Sequence, residues 1–281
     1  MANLSELRDG YGNVYTIGSL TDEIASVRHN YPWETVAHRG YCATGLPENS
    51  LPALIEAAKQ GFNVCEADIR RTSDGIFIMN HDATITGTVN GESVTYTIAD
   101  ETYETISQVL LGASAEYGNI YPVTWETFCK TANILGIVLH VDNRATGAEI
   151  TPELVSIAMK CGMSGKVTYT YDHANVLATD PRAGLTVAID ANYETSFETY
   201  KGYLNGMNKI YATVPVTSEY CTEEYILAAH KYGFLVEIWS ISAMESTYTK
   251  ALDLRPDKIE QLTAAQGTNV SELYINSLGI G

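Results

Sequence analysis

Two histidines and a pair of carboxylates lie within the first third of the chain. The first histidine stands in His38-Arg39-Gly40, the carboxylates in Glu66-Ala67-Asp68, and the second histidine in His81-Asp82. A histidine exchanges protons near neutral pH, and a close pair of carboxylates attracts a cation. Together, these residue types suggest metal-assisted chemistry on a phosphodiester.

The spacing of Glu66 and Asp68 favours a hard divalent ion. Residues i and i+2 of a strand point to the same side, so the two carboxylates would face one point. Without a cation between them they would repel each other, and the pKa of one would rise. Mg²⁺ and Ca²⁺ prefer oxygen ligands, whereas no Cys or His cluster has the spacing of a zinc site. We therefore expect one divalent cation, Mg²⁺ or Ca²⁺, as the cofactor.

Taken in order, the motifs of this region resemble those of the glycerophosphodiester phosphodiesterase family. That family reads H-R-G, then E-N-T or E-N-S, then E-x-D, D-G and H-D. The matching elements are His38-Arg39-Gly40, Pro47-Glu48-Asn49-Ser50, Glu66-Ala67-Asp68, Asp74-Gly75 and His81-Asp82. The resemblance implies a phosphoric diester hydrolase that releases an alcohol and sn-glycerol 3-phosphate.

The resemblance also implies roles for these residues. His38 and His81 would be the catalytic acid and base, in an order that the sequence leaves open. Glu66 and Asp68 would bind the metal ion, and Arg39 would bind the phosphate. The attacking group would first be a neighbouring glycerol hydroxyl, giving a cyclic phosphate that water then opens.

The second half of the chain resembles the family more loosely. The segment from Ile137 to Arg144 resembles a strand ending in E-x-K, with Asp142 in place of the third metal ligand and Arg144 in place of the phosphate-binding Lys. The segment 237–241 resembles the strand whose Trp lines the substrate pocket, which places Trp239 and Glu237 at the substrate. The segment 272–277, interpreted as the final strand, lacks the acidic ending common in relatives. The resemblance covers about residues 33–281.

Some of these polar residues have a second interpretation. Glu48 could merely cap a helix, but the motif favours a role with Asn49 in supporting the metal site from outside. His140 lies deeper on its strand and is expected to be a hydrogen-bonded core residue. Glu237 would either contact the substrate or pair with Arg144.

Apolar runs suited to buried parallel strands alternate with amphipathic stretches along the chain. Eight such runs predict an α/β fold, a (β/α)8 TIM barrel, which routinely reaches about 250 residues as one domain. Strands are predicted at 35–38, 63–69, 137–142, 167–171, 185–189, 209–214, 235–241 and 273–276, and helices at 50–60, 124–132, 152–159 and 222–232. The motif residues then fall at the carboxyl ends of strands, where such barrels carry their active sites.

Two segments depart from this alternation. Residues 76–79 and 84–97 have a β-strand pattern around Asn90-Gly91, which predicts a small β excursion after the second strand, over the barrel mouth. Residues 1–30 are expected to form a short N-terminal extension, leaving 31–281 for the barrel. Within that extension, residues 9–15 faintly resemble the leader of some bacteriophage tail proteins.

Composition limits the partners. The chain of 281 residues has 17 Lys and Arg against 34 Asp and Glu, a net charge of −17. Because nucleic-acid binding depends on basic patches, this balance predicts a small-molecule phosphodiester partner and no nucleic acid. Attraction of the anionic substrate would come locally from the metal ion, Arg39 and Arg144.

The sequence also indicates a location. No basic segment followed by an apolar one opens the chain, and no run of about twenty apolar residues occurs, so we expect no stable membrane anchoring. The five cysteines have no pattern, which favours free thiols and a cytoplasmic protein. Association with a phage particle is the alternative, and the sequence does not indicate an oligomeric state.

Two other functions remain open. A sphingomyelinase D-like lipase uses a related barrel, but it lacks the Glu48-Asn49 element and would need an apolar docking loop. A barrel that binds or cleaves a glycerophosphate polymer such as teichoic acid agrees with the looser second half. The intact set of His, Arg and carboxylates argues for an enzyme, and turnover would separate the two.

Overall fold

The structure, a computed structural model, describes residues 6–8, 14–16, 33–42, 45–145, 151–171, 184–190, 197–204, 206–242, 244–262 and 271. Strands β1 (Glu6–Arg8) and β2 (Val14–Thr16) form an antiparallel pair within the predicted N-terminal extension. The rest of that extension, including most of residues 9–15, lies outside the described residues, as does the segment 272–277.

The other strands follow in chain order. They are β3 (Glu34–Ala37), β4 (Val64–Arg71), β5 (Phe77–Met79), β6 (Thr84–Val89), β7 (Glu92–Thr97), β8 (Gly112–Ser114), β9 (Gly118–Ile120), β10 (Val138–Asn143), β11 (Val167–Tyr171), β12 (Thr186–Asp190), β13 (Lys209–Pro215), β14 (Leu235–Ile241) and β15 (Lys258–Gln261).

Helices alternate with the later strands. They are α1 (Leu51–Lys59), α2 (Tyr103–Ile106), α3 (Trp125–Leu135), α4 (Pro152–Lys160), α5 (Phe197–Tyr203), α6 (Glu223–Lys231) and α7 (Glu245–Asp253). The four predicted helices are confirmed as α1, α3, α4 and α6. Each begins at a hydroxyl side chain that accepts a hydrogen bond from a backbone N–H of the first turn, and these caps are Ser50, Thr124, Thr151 and Thr222.

Eight parallel strands close into a barrel, which confirms the predicted TIM barrel. Strand β3 pairs with β4, β4 with β10, and each later strand with the next as far as β15. The ring closes where β15 pairs with β3, with Gln261 opposite Ala37. The eighth barrel strand is therefore Lys258–Gln261, and its prediction at 273–276 was wrong. Lys258 and Glu260 interrupt the apolar pattern of this strand, which is why the sequence did not reveal it.

The predicted β excursion after the second strand is confirmed. Strand β5 pairs antiparallel with the end of β4, and β6 and β7 form a hairpin that turns at Asn90-Gly91, where both residues have positive φ. A second hairpin of β8 and β9 was not predicted, because its short strands are polar and rich in glycine. A separate small core holds the excursion together, built from Ile78, Ile85, Ile98, Ile106 and Val109.

Alternate residues of the barrel strands meet different surroundings. Residues such as Ala67, Val141 and Ile259 belong to the main apolar core, into which the helices also pack. Their strand neighbours point into the barrel and are often polar, as Glu66, His140 and Lys258 show. The barrel interior is therefore a place where charges meet with little water.

The lower interior holds a network of buried charges around Glu237. Its carboxylate lies 3.1 Å from His140 Nδ1 and 3.5 Å from Lys258 Nζ. The Lys258 ammonium also lies 3.8 Å from the ring centroid of Tyr211 and 3.5 Å from Thr168 Oγ1. Both Glu237 and Lys258 are fully buried. Because an unpaired buried charge is costly, each of these two residues stabilises the other by neutralising its charge.

This network sets the ionisation of Glu237. Burial by itself raises the pKa of Glu237, but neighbouring His140 and Lys258 outweigh burial and hold the pKa at about 2. Because this value lies below the ordinary 4.5, ionised Glu237 stabilises the fold above pH 4.5, and that stability is lost as pH falls towards 2. Glu237 does not pair with Arg144, and we expect it to stabilise the barrel rather than to contact the substrate. His140, whose Nε2 is 2.9 Å from Thr170 Oγ1, has the hydrogen-bonded core position predicted for it.

All five cysteines are free, as predicted. Within the described part of the chain, no helix combines the length and the apolar character that crossing a bilayer requires.

Replacing Gly40 by Ala should destabilise the fold more than the same change at Gly45. Both glycines have left-handed φ, 86° and 77°, but only at Gly40 would a Cβ collide, at 2.7 Å from the Cβ of Ala53. We expect Gly40→Ala to cost about 2–5 kcal/mol, from strain plus overpacking, and Gly45→Ala about 1–2 kcal/mol from strain alone. Urea unfolding measures the free energy of unfolding of each variant. Equal decreases in the two variants would contradict the proposed effect of the close packing against Ala53.

Lys258→Met should destabilise the barrel by about 3–5 kcal/mol, because Glu237 would remain buried with one cation fewer. Lys130→Met is the matched control, since Lys130 is exposed and pairs with Glu126 on the helix surface. Its cost should stay below about 0.5 kcal/mol. Urea unfolding at pH 7 compares the two, and similar stabilities would argue against the buried network.

Candidate active site

The carboxyl ends of β3, β4 and β10 bring together most of the predicted site residues. In the register of β4 and β10, Asp68 lies beside Asp142, and Glu66 lies beside His140. His38 follows β3 directly, and its Nε2 is 3.9 Å from Glu66 Oε2. The predicted pair of carboxylates on one strand face is therefore present, and a third carboxylate stands next to it.

Arg39 connects the His38 loop to β4. It has a left-handed φ of 56°, and its backbone N–H donates to Glu66 Oε2 at 2.9 Å. Its guanidinium donates from Nη1 to both carboxylate oxygens of Glu48, at 3.0 and 3.2 Å, and its Nε is 3.2 Å from Asp68 Oδ2. Arg39 thus lies between an exposed carboxylate and a buried one.

Asn49 fastens the same loop to Asp68. Its Nδ2 donates to Asp68 Oδ2 at 3.1 Å, and its Oδ1 accepts the backbone N–H of Asp68 at 2.9 Å. Asn49 also has a left-handed φ of 56°. Glu48 and Asn49 therefore support the carboxylates and Arg39 from outside, and Glu48 does more than cap α1, whose N-cap is Ser50.

Arg144 forms ion pairs with both Asp68 and Asp142. Its Nε donates to Asp68 Oδ1 at 2.6 Å, and its Nη2 is 2.8 Å from Asp142 Oδ2. Arg70, which the sequence did not single out, donates to the backbone carbonyls of His81 and Arg144, at 2.9 Å each. Arg70 therefore holds the two loops that carry these residues close to each other.

The two histidines have different surroundings. Burial, with a smaller contribution from Arg39, lowers the pKa of His38 to about 4, so its ring is neutral at pH 7. His81 is more exposed, and its Nδ1 lies 2.7 Å from Asp82 Oδ1. The hydrogen bond with His81 lowers the pKa of Asp82, which keeps this carboxylate ionised.

Glu260 is a site residue that the sequence did not reveal. It lies on β15, and its Oε1 is 3.8 Å from His38 Nε2. The ligand atoms of His38, Glu66 and Glu260 all lie within 4.8 Å of one another, so these three side chains could hold a metal ion. The only feature of the sequence that could have indicated Glu260 is the alternation of charged and apolar residues in Lys258-Ile259-Glu260.

Three carboxylates of the site, those of Glu66, Asp142 and Glu260, have raised pKa values. For Glu66 the largest cause is burial, followed by the charges of Asp68 and Glu260. Burial also raises the pKa of Asp142 and of Glu260. Oxygen donors crowded in this way fit a hard divalent cation, which would relieve their repulsion.

Trp239 lies apart from these contacts. It is half-buried near the carboxyl end of β14, opposite Pro215 of β13 and next to Ser240, whose φ is 61°. Its position at the end of a barrel strand agrees with the predicted pocket lining, which stays a prediction.

Comparison with known proteins places the motifs in a family. The sequence profile described as "Glycerophosphoryl diester phosphodiesterase family" matches residues 38–186. Glycerophosphodiester phosphodiesterase 1 of Rattus norvegicus is 36% identical over 148 residues, which cover 48% of this chain and 44% of the relative. The human protein of the same name is 39% identical over 87 residues, which cover 31% of this chain and 25% of the relative. The chain thus spans less than half the length of these relatives.

Solved structures agree on the fold. A glycerophosphoryl diester phosphodiesterase from Parabacteroides distasonis superposes with a TM-score of 0.64 at 20% identity, covering 92% of each chain. A phosphodiesterase from Oleispira antarctica, solved in complex with the product sn-glycerol-3-phosphate, has a TM-score of 0.59 at 16% identity, covering 87% of this chain and 99% of its own. Since the profile covers more than half of the 281 residues and includes His38, Glu66, Asp68 and His81, this chain belongs to the glycerophosphodiester phosphodiesterase family.

Proposed function

We propose that the chain hydrolyses a glycerophosphodiester to an alcohol and sn-glycerol 3-phosphate with the help of one divalent cation, Mg²⁺ or Ca²⁺. The observation that carries this proposal is the set of side chains gathered at one end of the barrel. It contains a neutral His38, a His81 in contact with Asp82, buried carboxylates and two arginines. The Oleispira antarctica relative, solved with sn-glycerol-3-phosphate bound, supports the same product.

Glu66, Asp68 and Asp142 would hold the cation. When bound, the ion supplies positive charge that polarises a phosphate oxygen and stabilises the charge that develops as phosphorus is attacked. Arg39 and Arg144, which already lie at the edges of the carboxylate cluster, would bind the remaining phosphate oxygens in their planar fork geometry. Trp239 would line the pocket that receives the substrate.

The two histidines would divide the proton transfers. A histidine whose pKa is about 4 is neutral at pH 7, so His38 Nε2 accepts the proton of the attacking hydroxyl. The ionised Asp82 stabilises positive charge on the His81 ring, so His81 holds the proton that the leaving oxygen takes up. The attacker is first a glycerol hydroxyl next to the phosphate, and water then opens the cyclic phosphate with the proton roles exchanged.

Replacing either histidine by Ala should lower kcat by about 10²–10⁴, the usual contribution of a general acid or base. Release of sn-glycerol 3-phosphate from glycerophosphocholine measures the rate. His230→Ala is the matched control, since His230 is exposed and pairs with Asp257. Near-normal kcat in His38→Ala or His81→Ala would refute the assignment. An inactive wild-type protein that retains glycerophosphate polymers would indicate a binding module.

Removing the cation should abolish turnover reversibly. We expect no release of sn-glycerol 3-phosphate after dialysis against EDTA, and recovery on addition of Mg²⁺ or Ca²⁺, because the raised pKa values of Glu66 and Asp142 reflect charges that need a cation. A full rate in EDTA would exclude the metal-assisted mechanism.

A further inference from the structure

Glu260 stands at the point where the barrel closes. Strand β15 pairs with β3, and this pairing brings Glu260 beside Val36, two residues before His38. Glu260 is 8% exposed, and its Oε1 lies 3.8 Å from His38 Nε2. Neither the sequence motifs nor the mechanism above uses this carboxylate.

The charges of the interior are compensated unevenly. Asp68 and Asp142 have guanidinium partners in Arg144, and Asp68 has a second one in Arg39. Glu66 and Glu260, in contrast, have no Lys or Arg side-chain nitrogen at ion-pair distance among the described residues. Glu66 accepts the Arg39 backbone N–H and lies near His38, and Glu260 lies near both His38 and Glu237.

Lys258 does not fill this gap, although it lies two residues before Glu260. Its Nζ is 3.5 Å from Glu237 and 3.9 Å from Glu34, and it forms no ion pair with Glu260 among the described residues. Two largely buried carboxylates therefore lie close to each other with no Lys or Arg side-chain nitrogen at ion-pair distance among the described residues. Buried carboxylates in this condition are costly unless a cation joins them.

The distances suit a metal ion rather than a direct contact. Separations of 3.8 and 3.9 Å from His38 Nε2 are too long for hydrogen bonds. The carboxylate oxygens of Glu66 and Glu260 that lie within 4.8 Å of each other can share one ion at metal–oxygen distances of about 2.0–2.6 Å, and His38 Nε2 then keeps its lone pair for proton transfer. We propose that Glu260 is a further carboxylate ligand of the divalent ion, acting together with Glu66; this inference rests on the metal-dependent function proposed above.

Calorimetric titration of the metal-stripped protein with Ca²⁺ and with Mg²⁺ tests the proposal. Glu260→Gln keeps the shape of the side chain and removes its charge, and its Kd for the ion should rise about tenfold or more. Glu66→Gln should show a loss of the same kind. Glu126→Gln is the matched control, because Glu126 is exposed on α3 and pairs with Lys130, so the Kd of this variant should equal that of the wild type.

The thermal stability of the metal-free protein is a second measurement. It distinguishes a metal ligand from a residue that only stabilises the fold. Removing an uncompensated buried charge should leave the Tm in EDTA equal to or above that of the wild type, while the rise in Tm on adding Ca²⁺ should shrink. If Glu260→Gln does not fold, Glu260→Asp, which keeps the charge with a shorter reach, should bind the ion more weakly than the wild type.

The outcomes separate this inference from the proposed function. An unchanged Kd in Glu260→Gln would overturn the ligand role, even if the wild type hydrolyses glycerophosphocholine. A weakened Kd in a protein whose wild type releases no sn-glycerol 3-phosphate would support the ligand and refute the activity. A wild type that binds neither ion would overturn both.

Discussion

Burial of negative charge inside a closed barrel is the constraint on which the rest of this structure depends. Four interior carboxylates, those of Glu66, Asp68, Glu237 and Glu260, are each less than one-tenth exposed. Such groups lose their hydration, and each needs a nearby positive charge or a proton. Lower in the barrel, Lys258 and His140 compensate Glu237. At the carboxyl ends of the strands, arginines compensate Asp68, whereas Glu66 and Glu260 have no Lys or Arg side-chain nitrogen at ion-pair distance in the described part of the chain. The chain thus concentrates its unbalanced negative charge where a divalent ion and a phosphate would meet.

The loop between β3 and α1 fixes the positions of the carboxylates at this end of the barrel. Arg39, Gly40 and Asn49 all have left-handed backbone conformations, which are rare for residues with side chains and are often found at functional sites. These conformations let the Arg39 amide reach Glu66 and let both polar groups of Asn49 reach Asp68. The close contact of Gly40 with Ala53 ties the loop to α1. The motif residues of this loop therefore work as one unit that presents His38 and holds the carboxylates.

The surroundings of the two histidines differ, as the proposed acid and base roles would require. His38 is half-buried and neutral, whereas His81 has an ionised carboxylate beside it. Arg70 connects the two sides, since it donates to the carbonyls of His81 and Arg144. In place of the family's E-x-K, this chain has Asp142 and Arg144, and Arg144 bridges Asp142 and Asp68 as only a forked donor can.

The sequence by itself determined the features that depend on local pattern. Apolar runs of strand length predicted seven of the eight barrel strands, amphipathic stretches predicted α1, α3, α4 and α6, and Asn90-Gly91 predicted the hairpin. The compact motifs identified His38, Glu66, Asp68 and His81 because their order along the chain is itself the signal. Only the tertiary structure decided that 258–261 closes the barrel, that Glu237 pairs with Lys258 and His140, and that Glu260 stands beside His38. The physical reason is that barrel closure pairs the last strand with the first. The partners of a buried charge therefore depend on the register of strands that are distant in sequence, and the neighbouring residues do not indicate them.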